Sequence, residues 1–273
     1  MNALVIVCIF TGLIHFAEAS ASCLRLAGVR TKQIATSLSF VNATLLISRM
    51  SNMVQAPLLA AMVELAINSH TVDQLTMNFR LIIFAAFIGN VVALTLAPWL
   101  VFVMTKAVNR FEQKASVPHL IAWSFWPPNT WKLLRTFRLP SLKSLNNLSL
   151  KGLPKSFLVL NAVMASIYCI GVLASLLAGS LAPDHRLAAS SLSAIVNGVA
   201  TILFTTMIDP VAAHVTDQAI RGKRPIEQVR SMVFYLLIGR IVGVLILSQI
   251  WLLPAAEYIK DVTLLLIKSG IVK

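Results

Sequence analysis

Six runs of apolar residues, each long enough to cross a bilayer, constrain this chain more than any other feature. They lie near residues 3–24, 33–54, 81–104, 157–181, 187–209 and 231–253. Each reaches the roughly 20 residues that a helix needs to traverse a hydrocarbon layer about 30 Å thick. Backbone groups in that layer find no partner outside their own chain, and the period-2 pattern of barrel strands is absent, so the spans are helices. The expected fold class is an all-α integral membrane protein with six transmembrane helices. With 58% hydrophobic and 12% charged residues among 273, little is left for an enzyme domain outside the membrane. The apolar start ends in Ala19-Ser20-Ala21 like a secretory leader, but residues 1–10 carry no Lys or Arg and Glu18 sits inside the run. A retained first span is expected.

The net charge of +13 is distributed unevenly. Sixteen of the 23 basic residues fall in the odd-numbered connections: Arg25, Arg30 and Lys32 in the first, nine between Lys106 and Lys155 in the third, and four between Arg221 and Arg230 in the fifth. By the positive-inside rule those connections are cytoplasmic and both termini are outside. In so apolar a chain this basic excess points to an anionic leaflet rather than to nucleic acid. The third connection, 105–156, separates a first three-helix unit (1–104) from a second unit with a C-terminal tail (157–273). Its aromatic and basic residues, from Trp123 and Trp126 through Trp131, Arg135 and Arg138, have the spacing of an interfacial helix on the inner leaflet.

The two units resemble each other. At an offset of 154, Leu4-Val5 meets Leu158-Val159 and Ala35-Thr-Ser-Leu-Ser39 meets Ala189-Ser-Ser-Leu-Ser193; one inserted residue later, Asn42 meets Asn197. At an offset of 150, Arg80, Phe84, Gly89 and Val92 meet Arg230, Phe234, Gly239 and Val242. An odd number of spans per unit turns the second over in the membrane. The expected architecture is therefore two inverted three-helix repeats, with a site near the midplane where they face each other.

Polar residues inside the spans mark where such a site would be. Thr11, His15, Glu18, Ser22 and Arg25 line one face of the first span at steps of four and three. A charge at the depth of Glu18 costs at least about 2.5 kcal/mol unless it is paired, protonated or hydrated. His15 is one candidate partner. The second span carries Asn42 and Arg49 on one side and then Asn52, Gln55 and Pro57, where a broken helix with exposed backbone groups is expected. The fifth echoes it with Asn197, Thr201, Thr205 and Asp209-Pro210, and Arg240 lies deep in the sixth. Guanidinium groups present forked donors suited to phosphate oxygens. Substrate contact is accordingly expected at Arg49, Arg240, Asn42, Asn52, Gln55 and Asn197, with charge balance or proton coupling at Glu18, His15 and Asp209. An alternative is that the arginines pair with Glu18 or Asp209 and only hold the bundle.

No phosphate loop, zinc-protease motif or nucleophile elbow is present, and Cys8, Cys23 and Cys169 match no metal or redox spacing. No catalytic residue, metal or cofactor is expected. Asp209, His214 and Asp217 are the nearest approach to an enzymatic cluster.

The run Arg25-Leu-Ala-Gly-Val-Arg-Thr-Lys32, continuing through Ile34–Ser39 to Ser48-Arg-Met-Ser-Asn-Met53 and Gln55-Ala-Pro57, resembles the Amj family of bacterial lipid II flippases. The resemblance implies a multi-pass plasma-membrane protein that moves an undecaprenyl-pyrophosphate-linked disaccharide pentapeptide to the outer leaflet for cell-wall synthesis. Its partners would be that glycolipid and anionic membrane lipids. The competing readings are a membrane enzyme acting on polyprenyl-phosphate lipids and an exporter of another anionic solute.

Overall fold

The computed structural model describes residues 2–116, 119, 123, 126–140 and 148–269. Among these, six helices are long and apolar enough to cross a membrane: Ala3–Thr31, Ile34–Asn68, Val72–Lys114, Lys155–Leu181, Pro183–Ile220 and Ile226–Lys268. Their number and order are those expected. Their lengths are not, because the third and sixth each run for 43 residues. At 1.5 Å per residue that is about 65 Å, roughly twice the hydrocarbon layer, so their charged ends project beyond it.

In lipid the surroundings are as apolar as the side chains, so helices associate through close packing rather than exclusion of water. Small residues make that packing possible. A side chain at Gly89 would collide with the carbonyl oxygen of Gly12, which brings the backbones of the first and third spans into contact. One at Gly243 would meet the carbonyl of Ala162, and one at Gly239 the side-chain amide of Asn161, joining the fourth and sixth spans in the same manner. The first span lies against both the second and third, and the fourth against both the fifth and sixth.

Two buried apolar clusters result, and each draws on both halves of the chain. One joins Val7, Leu59, Phe79 and Ile82 to Leu173, Leu177, Leu252 and Ile259. The other joins Ala19, Cys23, Ala93 and Val101 to Phe157, Ala212, Met232 and Leu237. The halves are therefore not separately cored units.

Three local features depart from the sequence reading. The second span does not break near Pro57 and stays helical from Ile34 to Asn68. A proline in a membrane helix frees one carbonyl, and neighbouring groups and small backbone adjustments absorb that loss. The first connection is also shorter than expected, because Arg25 and Arg30 lie on the helical segment Cys23–Thr31 beyond a break at Ser22. The chain reverses at Lys32, whose φ of 59° occupies the left-handed position usually given to glycine, and the Gln33 N–H donates to the Gly28 carbonyl. Finally, the fifth and sixth spans contain π-helical segments at Phe204–Ile208 and Gly243–Leu247.

Within the third connection a helix forms over Pro127–Arg135, with Pro127 in its first turn. Trp99 of the third span donates from Nε1 to the Leu133 carbonyl at 3.0 Å and tethers it. Trp126, Trp131 and Leu134 are exposed. The guanidinium of Arg135 lies 5.2 Å from the Trp131 ring centre. Ser124 and Phe125 of the aromatic segment, and Lys143 among the basic residues, lie outside the described residues.

Candidate functional site

Three ion pairs among the described residues join positions distant in sequence, and all three connect the first half to the second. The deepest is Arg240, whose Nη2 donates to Glu18 Oε2 at 2.6 Å. The Ser48 hydroxyl donates to the other carboxylate oxygen of Glu18 at 2.9 Å. Arg240 Nε also faces Asn90 Oδ1 at 3.4 Å, and the Asn90 amide lies 3.5 Å from His15 Nδ1. First, second, third and sixth spans thus converge on one ion pair. Little of the pair is open to the surroundings, the side chains of Arg240 and Glu18 being 11% and 25% exposed.

The second pair joins Arg25 to Asp209. Arg25 is two turns beyond Glu18 on the first span, roughly 10 Å at 1.5 Å per residue. Asp209 follows the π-helical segment of the fifth span, and Pro210 stands in the first turn of the helix that continues. The third pair, Arg186 with Glu64 at 2.8 Å, links the start of the fifth span to the far end of the second and is about half exposed. Arg80 and Gln249 add a tie between the third and sixth spans, with Arg80 Nη1 donating to the Gln249 carbonyl at 3.0 Å and the Gln249 amide returning a bond to the Arg80 carbonyl at 3.0 Å.

The expected face of the first span is real, and it points inward. Thr11 and His15 are buried, and Glu18 and Arg25 each meet a charge from the opposite half. His15 reaches this group through Asn90 rather than by bonding Glu18. The second span separates its candidates onto two faces. Ser48, Ser51 and Gln55 are buried, and the Gln55 side-chain oxygen has no partner. Asn42, Arg49 and Asn52 are exposed, and Arg49 has neither an ion pair nor a hydrogen bond among the described residues. Glu18 is therefore held by Arg240 and not by Arg49. On the fifth span Asn197 is half-buried against Gly171 with its side-chain oxygen unpartnered, while Thr201 and Thr205 are exposed. Tyr168 of the fourth span donates to the Thr201 hydroxyl at 2.7 Å.

Ser48 and Asn90 are absent from the site expected from sequence, and Arg25, expected on the polar face of the first span, had no partner assigned to it. The spacing 48, 51, 55, 59 and 63 of one buried helical stripe points to Ser48. Asp209, His214 and Asp217 do not form one group, since Asp209 pairs with Arg25, Asp217 with Arg221 and His214 with Gln218. No set of three His, Cys, Asp or Glu residues converges among the described residues.

The family model described as "Amj: Alternate to MurJ" matches residues 10–263. The lipid II flippase Amj of Bacillus subtilis (strain 168) is 33% identical over 255 residues, an alignment that covers 93% of this chain and 94% of that protein. No solved structure matches the chain.

Proposed function

Because the chain belongs to the Amj family, we propose that it is a lipid II flippase of the bacterial plasma membrane in which the Glu18–Arg240 pair is the exchangeable anion site. It is a transporter that carries a peptidoglycan precursor to the outer leaflet. The observation that carries this mechanism is a forked donor held near mid-span by a carboxylate from the opposite half of the molecule. A pyrophosphate presents the same acceptor geometry as a carboxylate and can take its place on the guanidinium. Exchange of one anion for another avoids stranding a buried charge, which a simple opening of the pair would do. Glu18, released, then needs its own counter-charge, and a proton held beside Ser48 and near His15 and Asn90 supplies it.

The exposed polar residues of the second and fifth spans extend the path. Arg49, with Asn42 and Asn52, would receive the sugar-phosphate part, and Asn197 with the unpartnered Gln55 oxygen would complete the polar lining. Asp209 balances Arg25 between turnovers.

Inverted three-helix repeats give the movement its form. Asn90 and Arg240 are equivalent at the offset of 150 that aligns the third and sixth spans, and they touch. Equivalent positions of an inverted repeat meet only at the axis relating the halves. Gly12 and Ala162, whose carbonyls receive Gly89 and Gly243, lie 150 apart, while the two glycines lie 154 apart. Each helix pair therefore meets one turn away from its offset in the sequence, a shift that leaves roughly the same helix faces aligned. With the odd connections cytoplasmic, the helix Pro127–Arg135 lies on the inner leaflet, where its aromatic and basic residues gather anionic lipid.

The test is lipid II reaching the outer face of cells depleted of their other flippases, trapped with an impermeant amine-reactive label. The intact protein raises the trapped fraction, whereas Glu18→Gln and Arg240→Lys leave it near background at equal protein level. No change with the intact protein refutes the function. Normal trapping with both variants removes the pair from the mechanism.

A further inference from the structure

The family-like run from Arg25 to Val41 does more than connect two spans. It forms one wall of a groove of about 360 Å³, closed on the other side by the end of the fifth span at Ala213, Thr216, Asp217 and Ile220. The groove lies between the halves, and its lining is mainly apolar, with Leu24, Ile34, Leu38 and Val41 facing Ile220. Its rim carries three charges. Arg25 is neutralised by Asp209 and Asp217 by Arg221, while Lys32 has no ion pair or hydrogen bond of its side chain among the described residues. One uncompensated positive charge therefore sits at the mouth of an oily trough.

The interior holds a second unmet group. Ser37 is 2% exposed, lines the groove, and its hydroxyl has no partner. The Ser37 side chain stands where it does because Gly28 has none, since a Cβ there would come within 3.0 Å of both Ser37 side-chain atoms. The tight turn at Lys32 brings the two helices that close together. Left-handed backbone at a lysine is unfavourable compared with glycine, so the position keeps its charge against local preference.

We infer that this groove is a loading site for the isoprenoid end of an anionic polyprenyl lipid, with Lys32 at the phosphate and the first isoprene units along Leu24, Ile34, Leu38, Val41 and Ile220. Size decides the orientation. Pockets that enclose ligands run from about 300 to 1,000 Å³, so this one is at the small end and takes a chain segment rather than a disaccharide pentapeptide. The sugar and peptide remain outside, at the exposed face that begins at Asn42, one residue past the groove. Ser37 donates to a phosphate ester oxygen, satisfying a hydroxyl otherwise buried without a partner. This assignment rests on the flippase reading in that the lipid held here is the one moved past Arg240.

The probe is a photoreactive farnesyl pyrophosphate, lacking sugar and peptide, added to the full-length protein in nanodiscs of neutral lipid. Cross-links are expected in Ile34–Val41 and Ala213–Ile220, competed by undecaprenyl pyrophosphate and not by undecaprenol. Lys32→Gly relaxes the turn while removing the charge, so it folds at least as well, and it should weaken labelling roughly tenfold, as for one lost charge-assisted hydrogen bond. Lys32→Arg restores it. Leu38→Trp fills the trough and abolishes labelling, with Lys32→Gly standing as the independent measurement should that variant misfold. Equal competition by phosphatidylglycerol or by undecaprenol, or unchanged labelling of Lys32→Gly, overturns the assignment. Absent labelling in a protein that flips lipid II sinks the groove alone; specific labelling in a protein that flips none sinks the flippase reading and keeps the groove.

Discussion

In the first half the second and third spans run as unbroken α-helices, Ile34–Asn68 and Val72–Lys114, through Pro57 and Pro98. In the second half the fifth and sixth spans each carry a five-residue π-helical segment, Phe204–Ile208 and Gly243–Leu247. At the offsets that align the halves, these segments fall opposite Arg49–Met53 and Ala93–Ala97, which are ordinary helix. Prolines do not explain the difference, since Pro57 and Pro98 interrupt nothing in the first half while the second carries Pro210 and Pro254 outside its π-segments. The wide turns lie beside the bridging charges, since Asp209 follows one directly and Arg240 precedes the other by three residues. A π-segment is a one-residue insertion that loosens the hydrogen-bond ladder locally. On this reading the first half would be the frame that holds Glu18 and Arg25, and the second would carry their partners on helices able to re-seat.

The central charge is the most consequential one to strand. Arg240→Ala leaves Glu18 without its partner and should destabilise the purified protein by about 3–5 kcal/mol, read as a lowered Tm. The doubly neutral variant, Glu18→Gln with Arg240→Gln, should recover most of that stability and none of the flipping. Recovery of both makes the pair a structural tie.

Single-residue deletions sharpen the contrast between the halves. Removing Ile246 from Gly243–Leu247 converts the π-segment to regular helix and leaves the flanking faces in place, so the protein should accumulate normally and lose most of its transport. Removing Thr95, the corresponding region of the third span, rotates everything beyond it by about 100° and should prevent accumulation. Equal outcomes erase the distinction between frame and moving part.

Packing offers a gentler version. Gly89→Leu and Gly243→Leu each drive a side chain into a neighbouring carbonyl, at a cost of about 1–3 kcal/mol. The variant at Gly243 should fall at the lower end, because its segment can yield. The smallest effect belongs to the half-exposed Arg186–Glu64 pair, where Arg186→Ala should change stability by less than about 1 kcal/mol in a double-mutant cycle with Glu64→Ala.

What could be read in advance follows from these same residues. Hydropathy located all six spans because the bilayer fixes a length, and the 11-15-18-22-25 face of the first span was visible because helical periodicity is a property of a single segment. Of the partners, Glu18 for Arg240 stood among the alternatives, because both are charges buried in apolar spans, whereas Asp209 for Arg25 did not. Arg25 and Asp209 are 184 residues apart, and nothing local in either announces the other. Pro57 misled because its penalty is calibrated on helices in water, whereas Phe204–Ile208 has no distinguishing residue type. The division of the second span into an inward row at Ser48, Ser51 and Gln55 and an outward row at Asn42, Arg49 and Asn52 was latent in the spacing, but charge drew the eye to Arg49.

The contact between Asn90 and Arg240 has a consequence for how the protein spends its time. Under the proposed inverted repeat, groups meeting on the axis that exchanges the two halves would stay together whichever face of the membrane is open. Glu18 has no acidic counterpart across that axis, because both Tyr168 and Val172, at offsets of 150 and 154, are uncharged. A machine of two identical halves would dwell equally in its two orientations. A chain that holds its carboxylate on one side only would give the orientations different free energies, and about 1.4 kcal/mol already makes one tenfold more occupied than the other. The resting direction of the proposed transporter would then be set by a side chain of the first half, before any lipid has bound.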